Sequence, residues 1–274
     1  MPASALALAL AAAALHVGWN ILIARAGDPE GAGAAAVLIG VAAFAPVAAI
    51  TWNVDWSAVP YIGASAAAEL AYFALLAAAY RRSDLSLVYP IARGTAPVLV
   101  LVGAVVATSV RPSALEVAGI AVVTAGVLLV RGAQPGEDVA ALAMALGVAA
   151  CIAAYTVIDK SGLRHAATIP YFEVVLATSG VIYALGLSAA RGTQVVRDGF
   201  SRWTAGAGIA MFLAYALVLA ALRLAPAASV AAVRETSVVM ATVLAAVILH
   251  EPVSRGRATG AVLVAAGVVA LALA

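Results

Sequence analysis

Long apolar runs separated by short polar breaks are the dominant pattern along this chain. Each run is long enough for a helix to cross a bilayer, which takes about 20 residues. The runs are continuous, whereas the strands of a membrane barrel alternate and have about 9–11 residues. The pattern predicts an all-α membrane protein with ten transmembrane helices, at 3–24, 31–52, 58–80, 86–108, 114–131, 138–158, 169–190, 203–222, 227–249 and 257–274.

The breaks between the runs leave no room for a soluble domain, and their charges bear on orientation. Breaks on the side opposite the N-terminus hold nine Lys and Arg residues, and breaks on the N-terminal side hold four. Cytoplasmic loops carry an excess of these residues, so the count favours both termini outside. The first run has no basic segment before it, and we interpret it as a spanning helix and not as a signal peptide.

The chain resembles itself at a distance of 141 residues. When the segment that begins at Arg93 is set above the segment that begins at Arg234, Thr95 falls on Thr236, and two glycines fall on glycines without a gap (Gly119 on Gly260 and Gly126 on Gly267). Residues 1–135 and 136–274 are therefore predicted to be two copies of one five-helix unit. Because five is odd, the second copy enters the membrane from the opposite side, which gives two inverted five-helix repeats.

Composition agrees with a lipid environment and narrows the function. Hydrophobic residues make up 65% and charged residues 10% of the chain, against about 45–50% and 25% in soluble domains. The net charge of +2 and the lack of a basic run do not suggest nucleic acid as a partner. No Cys/His cluster has metal-ligand spacing and no phosphate-binding P-loop is present, so we expect no metal, no cofactor and no enzymatic activity.

Charged residues inside the predicted spans are the main candidates for a functional site, because a charge at bilayer depth is costly. They are Glu69, Arg93, Arg234 and Glu235. We expect the two arginines to hold an anionic group of the substrate, or to pair with Glu69 or Glu235; a fixed structural pair between the repeats is the alternative. Glu69 is the candidate for coupling to a proton. Asp159, next to Lys160, is interpreted as part of a solvated pair.

Aromatic and polar side chains on other spans complete the candidate binding site. Positions 16, 19 and 20 recur on one helix face, and two tyrosines are equivalent in the repeat. Trp52, Trp56 and Trp203 lie at span ends and are interpreted as interface anchors. The candidates for substrate contact are His16, Trp19, Asn20, Tyr72, Tyr89, Tyr155 and Tyr215.

Several segments together resemble the drug/metabolite transporter superfamily, in its EamA-type ten-helix branch. They are SDLSLVYPIARGTAPVLV at 83–100, APAASVAAVRETSVVMATVLAAVILHEPVS at 225–254, and the glycine-rich stretches at 116–130 and 257–273. HVGWN at 16–20 and AAYTVIDK at 153–160 are also similar to the family. The resemblance implies export of small metabolites, and it implies termini in the cytoplasm, against the charge count. Orientation therefore stays open.

Taken together, these features predict a secondary active transporter in a bacterial-type inner membrane. We expect it to move a small organic metabolite, such as an amino acid or organic anion, by alternating access coupled to a proton or to exchange. The expected partners are this substrate, the lipid bilayer and a proton, while the oligomeric state is left open. Two alternatives remain: a membrane-embedded enzyme acting on a lipid-linked substrate, and a non-transporting accessory protein.

Overall fold

The computed structural model describes residues 1–82, 85–108, 111–131, 139–248 and 254–274, and the side chains at 80–82, 85–90, 108, 131 and 245–248 lie outside this description. A 3₁₀ turn precedes the third helix at Trp56–Ala58. The α-helices are α1 (Ala3–Ile23), α2 (Pro29–Ile50), α3 (Val59–Arg82), α4 (Leu85–Thr108), α5 (Ala114–Arg131), α6 (Val139–Gly162), α7 (Thr168–Arg191), α8 (Thr193–Asp198), α9 (Arg202–Leu224), α10 (Ala227–Arg234), α11 (Thr236–Ile248) and α12 (Arg255–Leu273).

The described part of the chain is helical and suited to a membrane. Eight helices are long and apolar enough to cross a bilayer, the last but one of them running through α10 and α11, and two shorter apolar helices cover 91–107 and 114–130. No strand occurs in the described ranges, where the β-structure is a single bridge between Val54 and Ala166. The prediction of an all-helical membrane protein is therefore confirmed.

Two ends of the bundle can be distinguished by their connections. The Met1 end carries the N-terminus, the connection 51–58 and the connection 163–167, and there the amino group of Met1 donates to the carbonyl of Leu271 over 3.3 Å. The Asp28 end carries the connection 24–28 and α8. At the Asp28 end, side-chain oxygens cap α2, α9 and α12. In α2, Asp28 accepts from the N–H groups of Glu30 and Gly31.

The structure differs from the predicted spans in two places. α8 forms within a segment that was predicted to be a break. The ninth span is interrupted at Glu235, whose N–H donates to Ala232 over 3.1 Å in a tightened turn. α4 matches its predicted span and continues through both Pro90 and Pro97, although proline removes a backbone donor. In a membrane such a helix stays intact when neighbouring protein groups satisfy the freed carbonyls.

Small residues allow close backbone contact between α5 and α12. A Cβ atom added to Gly126 would lie 2.7 Å from the carbonyl oxygen of Gly260, and one added to Gly267 would lie 2.8 Å from the carbonyl oxygen of Gly119. The two backbones touch at these points because neither carries a side chain there. Lipid gives no hydrophobic drive for helix association, so this backbone packing contributes directly to stability.

Candidate functional site

A buried ion pair joins the two halves of the chain near the middle of the bundle. Nε of Arg93, on α4, donates to Oε2 of Glu235 over 3.0 Å, and Nη2 donates to Oγ of Ser237 over 3.2 Å. Arg93 is 6% exposed and Glu235 is 3% exposed. The sequence analysis considered Glu69 and Glu235 as partners for the arginines. Arg93 contacts Glu235, which lies at the break between α10 and α11.

The second arginine makes a different contact. Cζ of Arg234, at the end of α10, lies 5.5 Å from the ring centroid of Tyr215 on α9. This is the geometry of a cation–π interaction, which strengthens when the charge is desolvated.

Three tyrosines from three helices form a continuous aromatic group beside Arg234. The rings of Tyr155 and Tyr215 meet edge to face with centroids 5.6 Å apart, and those of Tyr72 and Tyr155 do so at 6.2 Å. Both geometries are favourable for aromatic pairs. The structure thus brings together three of the tyrosines that the sequence singled out, from α3, α6 and α9.

Asp159 belongs to this group, and its interpretation as part of a solvated pair was wrong. Its side chain accepts from the hydroxyl of Tyr171 over 2.9 Å and from that of Tyr215 over 2.5 Å, and the residue is 1% exposed. Lys160 turns away and donates to the carbonyls of Leu222 and Ala225. Adjacency of opposite charges suggested a solvated pair, whereas neighbours on a helix point to different sides.

Glu69 makes its hydrogen bond with a serine of the second half of the chain. It accepts a hydrogen bond of 2.6 Å from the hydroxyl of Ser179 on α7, and its side chain is partly buried. Ser179 itself is fully buried. The sequence analysis did not identify Ser179 as a site residue. A single hydroxyl within an apolar run is too common in membrane helices to indicate a functional residue.

The first helix contributes His16, which lies within electrostatic range of both Arg93 and Arg234. Its ring meets that of Trp19 edge to face at 4.9 Å, and the amide of Asn20 donates to the carbonyl of His16 over 2.7 Å. These residues share one face of α1, as their spacing predicted. The side chain of Tyr89, the remaining predicted contact, lies outside the described residues.

No group of three or more His, Cys, Asp or Glu side chains in the described ranges is arranged to hold a metal ion. The arrangement instead offers two guanidinium groups, three buried or partly buried carboxyl groups and an aromatic wall. Such a set can bind an anionic or zwitterionic organic molecule and can exchange protons. A separate cavity of about 440 Å³ lies at the Met1 end, between the connections 51–58 and 163–167.

Comparison with known proteins assigns the chain to a family. Residues 139–273 match the model of the EamA-like transporter family. The chain belongs to the EamA-like transporter family. A solved crystal structure superposes over 100% of this chain and 98% of its own length, with a TM-score of 0.76 and 18% sequence identity, and so shares its fold. A search among curated proteins gave no significant match.

Family membership fits the site and agrees with the resemblance carried by the sequence. EamA-like proteins are membrane transporters of the drug/metabolite type, and the chain is a multi-pass membrane protein of this type. The family match covers the second half of the chain, which holds Tyr155, Asp159, Tyr215, Arg234 and Glu235.

Proposed function

We propose that this protein is a secondary active transporter that moves a small organic metabolite by alternating access. The observation that carries the proposal is the buried Arg93–Glu235 pair beside Arg234, since both halves of the chain meet there. Buried charges inside membrane helices are rare and mark substrate or ion pathways. The family supports transport as the general activity, and the contacts of these residues suggest how it is performed.

The proposed substrate carries an anionic group, as an amino acid or an organic anion does. A guanidinium presents parallel N–H donors that match a carboxylate. An incoming carboxylate would bind the edge of Arg234 and compete with Glu235 for Arg93. The wall of Tyr72, Tyr155 and Tyr215 would cover the organic part of the substrate. Binding would thereby loosen the tie between α4 and α10.

Two carboxyl groups are proposed to couple this step to protons. Glu69 accepts from Ser179 and Asp159 accepts from two tyrosine hydroxyls, and none of these partners neutralises a carboxylate as an ion pair would. Each group can therefore take up a proton when its hydrogen-bond partners move. Glu69 connects α3 with α7, and Asp159 connects α6 with α7 and α9. Protonation of Glu69 would weaken a contact between the two halves, and protonation of Asp159 would weaken contacts within the second half.

The inverted repeat is proposed as the basis of the alternation. The alignment pairs Gly119 with Gly260 and Gly126 with Gly267. In the bundle Gly119 faces Gly267 and Gly126 faces Gly260. Exchanging the two copies turns each contact into the other, as a two-fold relation requires. This reciprocity supports two units, 1–135 and 136–274, that rock against each other around the central charges.

The proposal can be tested by uptake into proteoliposomes that contain the purified protein. A panel of labelled amino acids and organic anions is offered with and without an imposed pH gradient. We expect saturable flux that Arg234→Gln and Glu69→Gln abolish. Glu30→Gln at the Asp28 end and Arg111→Gln at the Met1 end serve as matched controls and should retain flux.

Other outcomes separate the alternatives. Flux that survives both central substitutions would make these residues structural. A lack of flux across the panel, in protein whose unfolding is cooperative, would contradict transport of these substrate classes and would favour an accessory role. Turnover of a lipid-linked substrate by the same preparation would indicate an enzyme.

A further inference from the structure

The cavity at the Met1 end has a composition unlike that of the central site. It measures about 440 Å³ and is lined by Asn53, Asp55, Arg164, His165, Thr168 and Arg223 among others. Two guanidinium groups and an imidazole thus face one carboxylate. A space of this size and charge is suited to a small anionic group and not to an apolar one.

Hydrogen bonds hold the second of these arginines in place. Nε of Arg223 donates to the hydroxyl of Thr168 over 2.9 Å, and its Nη2 donates to the carbonyl of Ala166. These bonds attach the end of α9 to the start of α7. They use one edge of the guanidinium and fix its position, so the charge is already oriented before a ligand arrives.

The first turn of α7 opens beside the same arginine. Its N-cap residue is Ala167, which makes no side-chain capping bond. Because the third helical residue, Pro170, has no N–H, the turn offers the N–H groups of Thr168 and Ile169. Thr168, the first residue of the helix, lines the cavity. The amino end of a helix carries partial positive charge, and an anion is favourable there. The two arginines that line the cavity and the amino end of α7 therefore favour the same kind of ligand, an anion.

The remaining wall is rigid. His165 stacks on Tyr61 with centroids 5.6 Å apart, and its Nδ1 lies 3.1 Å from the hydroxyl of Ser57. The N–H of Asp55 donates to the carbonyl of His165 over 2.9 Å, in the short bridge between the two connections. Because these contacts hold the wall without a ligand, little ordering is needed on binding.

We propose that this cavity binds a phosphate group. Phosphate matches paired guanidinium donors and the amino end of a helix. Trp52 and Trp56, on the connection that forms one wall, are 58% and 91% exposed, which places the cavity at the level of lipid headgroups. The group is carried either by an anionic phospholipid or by a soluble phosphate. This site is separate from the central charges and does not depend on the proposed transport.

The lipid source is tested with the full chain in nanodiscs of phosphatidylcholine doped with phosphatidic acid. Native mass spectrometry after mild delipidation counts the phosphatidic acid that remains bound. We expect the wild type to keep it and Arg164→Gln to bind it about tenfold more weakly, because a charge-assisted hydrogen bond is lost. Arg111→Gln removes an exposed arginine from the same end, outside the cavity, and should bind as the wild type does.

The soluble source is tested by equilibrium dialysis of inorganic phosphate against the same three proteins. Saturable phosphate binding that Arg164→Gln weakens, without retention of phosphatidic acid, would support the site with a soluble ligand. Arg223→Lys keeps a charge but loses the guanidinium fork, and should weaken whichever probe binds. Equal binding by wild type, Arg164→Gln and Arg111→Gln, or binding of neither probe, would overturn the proposal.

Discussion

The Arg93–Glu235 pair allows the contribution of a single side chain to stability to be tested. Both side chains are buried, and breaking such a pair leaves a charge without a partner, at a cost of about 3–5 kcal/mol. We expect Arg93→Met to lower the free energy of unfolding by this order. The double variant Arg93→Met/Glu235→Met should recover most of that loss, because no unpaired charge remains. Unfolding in detergent, followed by circular dichroism, measures both.

Flux separates the two roles of the pair. If the arginine serves only to hold the halves together, the folded double variant will transport at the wild-type rate. We expect it to fold and to remain inactive, because the substrate has lost a guanidinium partner. Recovery of flux in the double variant would contradict the role of Arg93 in substrate binding.

Asp159 provides a second test at the same scale. We expect Asp159→Asn to lower flux strongly while changing the free energy of unfolding by only about 1–2 kcal/mol, the range of hydrogen bonds between membrane helices. The amide still accepts from Tyr171 or Tyr215 but cannot exchange a proton. Counterflow with equal pH on both sides is the discriminating measurement. A variant that is slow in counterflow as well would show that Asp159 acts in positioning and not in proton coupling.

Packing of α5 against α12 governs stability at the scale of elements. An alanine Cβ at position 267 would lie 2.7 Å from Cγ2 of Val123 and 2.8 Å from the carbonyl oxygen of Gly119. We expect Gly267→Ala to force the helices apart and to lower the free energy of unfolding by about 1–3 kcal/mol. The thermal midpoint in detergent measures this.

Gly63, in α3, is the matched control for this substitution. A Cβ added there meets nothing within 4 Å. Gly63→Ala should leave stability unchanged or raise it by up to about 1 kcal/mol, since alanine favours a helix over glycine. Equal thermal midpoints for the two variants would contradict the close packing of α5 and α12.

Asp28 links α2 to the end of α7 through Arg191, over 2.5 Å. Partial desolvation raises the pKa of Asp28, but hydrogen bonds from the Gly31 N–H, the Arg191 guanidinium and the Glu30 N–H outweigh this and hold the pKa below its ordinary value. The contribution to stability is therefore complete above the unfolded pKa of about 3.9 and disappears as the pH falls through the lower folded pKa.

We expect the thermal midpoint of Asp28→Asn to lie below that of the wild type at pH 7. The gap should close as the pH is lowered through the acid range below 4, because protonated Asp28 no longer attracts Arg191. High salt at pH 7 should narrow the gap as well, since the pair is exposed. A gap that is independent of pH would show that capping by the neutral side chain, and not the charge, stabilises this end.

At the scale of the whole molecule, we expect transport to require movement at the Met1 end. The backbone bonds from Asp55 to His165 and from Ala167 to Asn53 flank Val54 and Ala166, which makes these two residues a non-hydrogen-bonded antiparallel pair. Such pairs have Cα atoms about 4.5 Å apart, within the range of a disulfide. We expect Val54→Cys/Ala166→Cys, in a Cys151→Ser background, to lose flux on oxidation and to regain it with a reducing agent.

The matched control is each single cysteine in the same background, which should transport equally under both conditions. Full flux through the oxidised pair would mean that the connections 51–58 and 163–167 do not separate during transport. Alternating access through this end would then be contradicted, although transport itself would stand.

The sequence alone was sufficient for the helices and for their environment. The length of each apolar run is read directly from consecutive residues, and the thickness of the bilayer sets the length that a spanning helix needs. Nine of the ten predicted spans therefore match one helix each within a few residues. The ninth span is the exception. Its interruption at Glu235 coincides with the contact of that residue with Arg93, 142 positions earlier in the chain.

The candidate site could be predicted only in part from the sequence, because its contacts join residues that are distant along the chain. The sequence determined which polar residues lie at bilayer depth, because charge stands out against an apolar background. It could not determine their partners. Asp159 meets Tyr171 and Tyr215 from 12 and 56 positions away, and Glu69 meets Ser179 from 110 positions away. Helix packing decides such pairings through the rotation and depth of each helix, and no local pattern encodes either quantity.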